Sequence, residues 1–392
     1  MNQNENRSLE GLKVLDLSRL LPAPFCSMVL RDLGAQVDKL EDTGLGDGAR
    51  PTYPLADDGM GAMFHWLNRG KRSIALDLKS EKGREVFLKL IPKYDVLIES
   101  NRPGVMDRLG LGYETLRAVN PGLVYCAITG YGQDGPLRHR AGHDINYVAR
   151  GGALGITGPL GGPPQTPGVQ VGDIGGGLFA AIGILAALQY RQRTGEGRFV
   201  DISMTEAAVS FSLFGLACAY GGLDLPAGGG MLMGAIANYR TYRTKDGAVS
   251  LGALEPKFWK AFCEGNGLNF DPSVLMPGPH QEEWHRKVSE LFLSRTNAEW
   301  EAFAREHDCC LEPVLGPKDL LEDPQHVARG VFAKRKSHKG GELIMARTPV
   351  APAAEGIAPK QGMDTATILR ENGFSDEEIE ALAKEGVTRS VN

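Results

Sequence analysis

The chain of 392 residues is 42% hydrophobic and 23% charged, which is typical of a globular protein and long enough for two domains. Its 43 lysines and arginines and 48 aspartates and glutamates give a net charge of −5, which argues against a dedicated nucleic-acid-binding protein. Any anionic ligand must therefore be held by a local group of basic residues.

The chain also lacks the sequence features of secreted and membrane-spanning proteins. Its six cysteines have no regular spacing, which predicts reduced thiols, and Met1–Glu10 is too polar for a signal peptide. Ile174–Tyr190 and Ala207–Leu223 are uncharged, but each has 17 residues, fewer than the ~20 that span a bilayer. We therefore expect a cytoplasmic protein without membrane contact, in which both stretches form buried core helices.

The first third of the chain alternates strand and helix patterns. The predicted strands are Lys13–Leu17, Ala35–Leu40, Ser73–Leu78, Asp95–Glu99 and Leu123–Thr129. Strands separated by helices predict a parallel sheet with right-handed crossovers, and therefore a doubly wound α/β domain. The dinucleotide fingerprint G-x-G-x-x-G does not follow the first strand, where Leu17–Pro24 stands instead. A nicotinamide or flavin enzyme is therefore disfavoured.

The middle of the chain predicts a second, smaller α+β domain. A long apolar helix from Gly175 and a strand at Arg198–Ser203 precede it. The Asp246-Gly247 pair, between two extended segments, predicts a β-hairpin, and amphipathic helices follow. The glycines and methionines of Gly228–Met233 form either a flexible wall of an apolar pocket or a disordered linker.

Two titratable side chains stand beside glycine on separate predicted loops. His143 lies in Ala141–Tyr147 and Asp173 in Val171–Gly177. An imidazole and a carboxylate that approach a substrate from different directions suit proton transfer at an acidic carbon, or acyl transfer to a carboxylate. Both have ordinary alternatives, since His143 could be satisfied by Asp144 and Asp173 could be a helix N-cap. In the functional interpretation, amides at that helix N-terminus hold a developing oxyanion.

Other charged residues have two interpretations as well. Glu255, at the end of the predicted hairpin, is either a solvated acid at a helix N-terminus or a carboxylate that orients a histidine. Lys79, Arg102 and Arg108 follow predicted strands, where ligands of parallel sheets bind, so together they suit phosphate binding. Singly, each is an ordinary solvated cation. No metal site is expected, because Arg140 and Gly142 disfavour a helix that would pair His139 with His143.

Several segments together resemble the class III CoA-transferase family, also named for L-carnitine dehydratase and bile-acid-inducible protein F. The resemblance rests on their number and order along nearly the whole chain. The matching segments are Leu9–Leu17, Asp32–Val37, Asn68–Ser73, Leu76–Lys79, Arg102–Val105, Arg108–Gly110 and Gly183–Leu188.

The resemblance implies a Rossmann-like large domain built from both chain ends, a smaller α+β domain between them, and an interlocked homodimer. We place the large domain at residues 1–203, linkers at 204–231 and 309–330, the small domain at 232–308, and the returning C-terminal part at 331–392. The resemblance further implies an acyl-CoA substrate and no separate cofactor. The expected binding residues are Leu76, Lys79, Arg102, Arg108, Asn146 and Tyr147. Asp42 stands where some members carry arginine, which puts a phosphate contact there in doubt.

Two chemistries compete within the family. Transferases use an aspartate, here Asp173, as a nucleophile that forms a mixed anhydride and then an aspartyl-CoA thioester. α-Methylacyl-CoA racemases use that aspartate as an acid/base and add a histidine in Gly-His-Asp-Ile-Asn-Tyr and a glutamate in Gly-Ala-x-Glu-Pro. This chain contains both motifs, at Gly142–Tyr147 and Gly252–Pro256. The resemblance thus favours a racemase over a transferase or a non-catalytic acyl-CoA-binding protein. It implies that His143 and Asp173 serve opposite faces of the α-carbon, with Glu255 supporting His143 from the partner subunit and Asp144 setting its tautomer.

Overall fold

The computed structural model describes residues 7–390, which divide into two compact units. The first unit contains residues 7–147, Gln170–Ala208 and 327–390, and the second contains Val148–Val169 and Val209–His326. Within the described residues there are twelve strands: β1 (Lys13–Asp16), β2 (Gln36–Glu41), β3 (Arg72–Leu76), β4 (Val96–Glu99), β5 (Val124–Thr129), β6 (Phe199–Ser203), β7 (Tyr239–Arg243), β8 (Ala248–Gly252), β9 (Leu311–Pro313), β10 (Phe332–Lys336), β11 (Glu342–Ala346) and β12 (Thr388–Arg389).

Helices connect most of these strands. In the same part of the chain the α-helices are α1 (Pro22–Asp32), α2 (Ala62–Asn68), α3 (Glu81–Leu90), α4 (Val105–Arg108), α5 (Tyr113–Val119), α6 (Asp144–Arg150), α7 (Ala153–Ile156), α8 (Val171–Thr194), α9 (Met204–Phe211), α10 (Leu213–Tyr220), α11 (Pro256–Gly265), α12 (Gln281–Phe292), α13 (Asn297–His307), α14 (Pro324–Ala328), α15 (Thr365–Glu371) and α16 (Asp376–Lys384).

A seven-stranded sheet forms the centre of the first unit. Its order is β12-β3-β2-β1-β4-β5-β6, and every neighbouring pair is parallel except β12 with β3. Parallel strands need crossover helices, and these cover both faces of the sheet, so the central strands are apolar along their whole length. All six residues of β5 are buried. The predicted α/β class with a large parallel sheet is confirmed.

Hydrophobic cores lie on both faces of this sheet. One contains Phe87, Leu97 and Tyr125, and the other contains Leu30, Ile98 and Ile184. The side chains of Leu97 and Ile98 point to opposite faces because strand residues alternate. Strand β4 is therefore packed between two hydrophobic cores, which fix the start of the loop that follows it.

Helix α8 is long and apolar enough, by length and composition, to cross a membrane. Half of its most apolar window is nevertheless buried inside the protein, where α8 packs against α1, β5 and β6, and core helices commonly pass the same test. The second uncharged stretch, Ala207–Leu223, does not form the buried core helix that we predicted. It forms parts of two short helices, and α10 has no buried residue. Lack of charge does not distinguish a core helix from an exposed apolar face.

The second unit is built on the antiparallel sheet β7-β8-β9. Its core contains Trp259, Phe262, Phe292 and Trp300, contributed by α11, α12 and α13. The predicted domain boundaries differ from this division in two respects. Residues 148–169 belong to the second unit rather than to the large domain, and the segments predicted as linkers, 204–231 and 309–330, contain α9, α10 and strand β9.

Candidate active site

A cleft of about 650 Å³ lies beyond the carboxyl ends of β1, β4 and β5. Strands β1 and β4 are neighbours, and from this pair the chain order runs outward in both directions. Doubly wound sheets bind ligands at such a point, because the loops that follow the two strands diverge there. Both loops line the cleft, with residues such as Leu20 after β1 and Arg102 after β4.

His143 lies at the N-cap position of α6 and lines this cleft. Its amide donates to Oδ1 of Asn146 at 3.0 Å, and its carbonyl accepts the Asn146 amide at 2.8 Å, a reciprocal pair that fixes the turn. Its side chain is exposed, and within residues 7–390 its imidazole makes no hydrogen bond. The imidazole is thus held in place through its backbone and remains available to a ligand.

Tyr147 stabilises the same turn. Its buried ring lies edge-on to Tyr131 with centroids 5.3 Å apart, and its hydroxyl donates to the carbonyl of Gly142. A Cβ at Gly142 would lie only 2.7 Å from the Tyr147 ring, so glycine is required there for close approach. Asn146 and Tyr147, predicted as ligand-binding residues, therefore also position His143.

Asp173 is the third residue of α8 and lines the cleft together with His143. The helix begins under the carboxylate of Asp144, whose Oδ1 accepts the amides of Gly172 at 2.8 Å and Asp173 at 3.0 Å. We predicted that Asp144 sets the tautomer of His143 and that amides near Asp173 face the substrate. In the structure Asp144 Oδ1 caps α8 and engages the amides of Gly172 and Asp173, while its role toward the His143 tautomer stays a prediction.

The carboxyl group of Asp173 has an unusual environment. Burial and then the nearby charge of Asp144 raise the pKa of Asp173 to about 7. Among the described residues its carboxylate accepts no hydrogen bond that would stabilise the charged form. Burial and the charge of Asp173 likewise raise the pKa of Tyr147 to about 12, so its hydroxyl stays protonated near neutrality. Asp173 is therefore populated in both protonation states at neutral pH.

The four residues predicted to lie near the CoA phosphates and adenine do not all line this cleft. Arg102 lines the cleft, but Leu76, Lys79 and Arg108 do not. Leu76 is buried in the core beside Phe87 and its strand pairs with Thr388. Lys79 follows β3, and three strand spacings, roughly 14 Å, separate β3 from β4. Any ligand that contacts both Lys79 and Arg102 must therefore be long, as an acyl-CoA is.

Glu255 belongs to the second unit rather than to the unit that contains the cleft. It is the exposed N-cap residue of α11, where its carbonyl accepts the amides of Phe258 at 3.0 Å and Trp259 at 3.2 Å. No side-chain capping bond occupies its carboxylate. The support that Glu255 gives to His143 from the partner subunit therefore stays a prediction.

Several residues of this site were not predicted from the sequence. Arg138 and Arg140 line the cleft, and their charges just before Gly142 were a visible signal. Glu99 lies buried beneath the loop that carries Arg102, and its Oε2 accepts the Asn101 amide at 2.6 Å. Burial raises the pKa of Glu99 to about 7. Asp42 forms an ion pair with Arg19 at 3.1 Å, so it holds a cation of the cleft rim.

The comparison with known sequences decides the family. The sequence pattern of CoA-transferase family III matches residues 9–365. The chain belongs to this family. Human alpha-methylacyl-CoA racemase is 37% identical, with 98% of each chain covered. Succinyl-CoA:mesaconate CoA-transferase of Haloarcula marismortui is 38% identical over 93% of this chain and 96% of its own.

Solved structures agree with the family assignment. A CAIB/BAIF family protein from Brucella suis matches with a TM-score of 0.82 and 31% identity, covering 94% of this chain and 100% of that one. The protein is therefore an enzyme of CoA-transferase family III, and membership implies an acyl-CoA substrate. Racemases and transferases both occur among the relatives, so the family name does not select between the two reactions.

Proposed function

We propose that the protein is an acyl-CoA racemase that inverts the α-carbon of a 2-methylacyl-CoA thioester by two-base proton transfer. The observation that carries this proposal is the presence of the His143 imidazole and the Asp173 carboxylate in one cleft, neither of them hydrogen-bonded through its side chain to any described residue. Two free acid/base groups of different type, with no stabilising partner, suit reversible proton transfer better than a purely structural role.

The chemistry requires one base and one acid at the same time. A thioester weakly acidifies its α-hydrogen, so one residue removes that proton and the other delivers a proton to the opposite face. Brønsted behaviour favours groups whose pKa lies near the working pH, and the pKa of Asp173 is raised to about 7. The reaction neither gains nor loses a proton overall and requires no separate cofactor.

Substrate-binding residues are proposed in each of the two compact units separately. We assign the CoA phosphates to Arg102 and, from the family resemblance, to Lys79 and Arg108 near Leu76. The acyl group is assigned to the segment Gly228–Met233. Leu232 and Met233 line a cavity of about 740 Å³ within the second unit, which falls in the ordinary size range of ligand pockets. Glu255 supports His143 from the partner subunit in this proposal.

An interlocked homodimer is part of the proposal. Ile182 on α8 is 60% exposed, and Leu213 and Tyr220 on α10 are 71% and 93% exposed. Large apolar side chains this exposed are, on each helix, typical of surfaces that a second copy covers. The parallel strand order 3-2-1-4-5-6 supports the Rossmann-like description of the sheet. The cytoplasmic location remains a prediction from the cysteine pattern.

A CoA transferase is the second candidate, because relatives with transferase names cover most of the chain at 32–38% identity. In that reaction Asp173 would attack an acyl-CoA and carry CoA as an aspartyl thioester. His143 would then have no assigned role. A racemase uses both residues, which is why we prefer it.

Incubation with a single enantiomer of a 2-methylacyl-CoA in deuterated water tests the proposal. The expected result is uptake of one deuterium at the α-carbon together with racemisation, measured by mass spectrometry and chiral chromatography without any second acid. His143→Ala and Asp173→Ala should each slow exchange by roughly 10²–10⁴-fold. The matched control is His139→Ala, a neighbouring exposed histidine bonded to Arg138.

Two other results would contradict the racemase. CoA exchange between two acids with a hydroxylamine-sensitive enzyme thioester at Asp173, and no α-exchange, identifies a transferase. Tight CoA binding with neither reaction identifies a non-catalytic acyl-CoA-binding protein.

A further inference from the structure

The loop after β1 contains a backbone outlier at the edge of the cleft. Leu20 has φ +66°, and within residues 7–390 only Leu20, Asp308 and Cys310 are non-glycine residues with positive φ. Leu20 lines the cleft and is 47% exposed. The left-handed conformation is strained for a leucine, and strain of this kind persists only where neighbouring structure enforces it.

Buried charged side chains bond to the backbone of this loop. Oδ1 of Asp47 accepts the Leu20 amide at 3.0 Å, and the Lys39 ammonium donates to the carbonyl of Ser18 at 2.7 Å. Lys39 and Asp47 lie 2.9 Å apart, and both side chains are fully buried. Ser100, in the loop after β4, accepts the Arg19 amide at 3.3 Å. Three successive residues of the β1–α1 loop, Ser18–Leu20, are thus each held by a polar group outside the loop.

A contribution to stability alone is a poor explanation for the ion pair of Lys39 and Asp47. Burying two charges carries a desolvation penalty that commonly equals or exceeds their attraction. Burial by itself would lower the pKa of Lys39, but the carboxylates of Asp16 and Asp47 outweigh it and raise that pKa, so the ammonium stays charged. The buried Lys39 ammonium donates to Ser18 and the buried Asp47 carboxylate accepts from the cleft-lining Leu20, so the pair points to a role in shaping the cleft.

We propose that Lys39 and Asp47 are positioning residues that hold the β1–α1 loop (Ser18–Leu21) as a fixed wall of the CoA-binding cleft, with Leu20 kept left-handed against the bound CoA ester. The proposal rests on the acyl-CoA substrate but is independent of whether the enzyme is a racemase or a transferase. The two residues act through the loop and do not touch the reacting atoms.

The strain of the left-handed Leu20 and the hydrogen bond that opposes it are of similar size, so the conformation of the loop is sensitive to substitution. The left-handed conformation disfavours a leucine by a factor of about 5 to 30. One hydrogen bond favours its geometry by a factor of about 2 to 13. Removing the bond from Asp47 should therefore let the loop relax to another conformation. CoA affinity then falls in proportion to the fraction of molecules that keep the native loop.

A matched pair of variants separates the acceptor oxygen of Asp47, which accepts the amides of Leu20 and Ala49, from its charge. Lys39→Met with Asp47→Asn removes both charges but keeps an oxygen that accepts the Leu20 amide. Lys39→Met with Asp47→Leu removes both charges and the acceptor. Both double variants lose the bond from Lys39 to Ser18, so they are compared with each other. By calorimetric titration with CoA, the second should bind about tenfold or more weaker than the first. Adding Leu20→Gly to the second should restore most of the affinity, because glycine adopts positive φ freely.

A second series uses only an exposed position, so that folding is not at stake. Leu20→Asn tolerates the left-handed conformation, whereas Leu20→Val is β-branched and does not. The valine variant should bind CoA at least about threefold more weakly than the asparagine variant, although valine resembles leucine more closely. Leu45, which is 90% exposed and has no positive φ, is the control, and its valine and asparagine variants should bind alike.

Two outcomes would overturn the proposal. One is equal CoA affinity of Leu20→Val and Leu20→Asn, and the other is equal affinity of the two double variants at Lys39 and Asp47. If the unmodified protein binds CoA but does not racemise the CoA ester, the proposed function is wrong, and the role of Lys39 and Asp47 in CoA binding is judged by these variants alone.

Discussion

Asp144 and Asp173 are connected both by a hydrogen bond and by their charges. Oδ1 of Asp144 accepts the backbone amide of Asp173 at 3.0 Å, while its charge, in addition to burial, raises the pKa of the Asp173 carboxyl to about 7. One residue therefore fixes where Asp173 lies and shifts the pH at which it ionises. The Asp144 that follows His143 in sequence acts on Asp173, on the other predicted loop.

Replacing Asp144 by asparagine should lower the pKa of Asp173, because the like charge disappears while burial remains. If the Asp173 carboxylate acts as base, the acid limb of the pH–rate profile for α-hydrogen exchange moves to lower pH. Asp144→Ala additionally removes the cap of α8 and should reduce stability by about 0.5–2 kcal/mol in thermal or urea unfolding. An unchanged acid limb in Asp144→Asn would show that the two charges do not interact, and Asp134→Asn serves as the exposed acidic control.

Asp173→Asn should stabilise the protein in a pH-dependent way. The folded pKa of Asp173, about 7, is higher than its ordinary value of 3.8, so the folded state retains a proton that the unfolded state loses between these pH values. Its contribution to stability is thus complete below about pH 4 and lost as pH rises to about 7. Allowing for partial exposure, we expect a gain of about 1–2 kcal/mol at pH 8 and little at pH 4. Urea unfolding at both pH values measures it, and equal gains would refute the raised pKa.

Gly142→Ala should impair activity through the position of His143. The new Cβ would lie 2.7 Å from the Tyr147 ring, so the turn must shift. We expect α-hydrogen exchange to fall by about tenfold or more, since small misplacements of a catalytic group have large effects on rate. Gly155→Ala, at a position with open space around it, is the control and should exchange normally. Normal exchange in Gly142→Ala would show that the turn tolerates displacement.

Arg102→Met should weaken CoA binding. Arg102 lines the cleft, and within the described residues it has no acidic partner within 4 Å. A charge-assisted hydrogen bond to phosphate contributes about 1.5–3 kcal/mol, which corresponds to roughly 10- to 150-fold in affinity. Calorimetric titration measures the change, and the loss should shrink at high salt. Arg117→Met, on the exposed surface of α5, provides the control, and an equal loss in both variants would rule out a specific contact.

Charge on the apolar face of α10 should disrupt the proposed dimer. Leu213→Arg and Tyr220→Arg each place a cation where we expect a second copy to pack, so light scattering after gel filtration should show a shift from dimer to monomer. Leu45→Arg, at a side chain that is 90% exposed, should leave the mass unchanged. A monomer before any substitution would contradict the dimer.

Elements whose signals are local in sequence were predicted well. The strand predicted at Asp95–Glu99 forms β4 at Val96–Glu99, and the strand predicted at Leu123–Thr129 forms β5 at Val124–Thr129. The Asp246-Gly247 pair closes the β7–β8 hairpin. In each case the determining residues lie within a few positions of one another, so the sequence states the interaction directly.

The site was predicted only in part. Motif residues identified His143 and Asp173, and the structure places both in one cleft. Leu76 was expected near the phosphates because of its motif, but its side chain is buried in the core. The prediction for α10 was wrong because the same apolar composition serves both buried and exposed faces.

Alternating apolar segments, turn pairs and capping residues by themselves determined the order of strands and helices, and the motifs determined the family. Only the tertiary structure decided that Asp144 caps α8, that Asp173 loses its solvation, and that Asp47 holds Leu20 left-handed. The hydrogen bonds among these features join residues 27 to 29 positions apart in different segments of the chain. Burial and electrostatic interaction depend on distance in space, which a linear pattern does not specify.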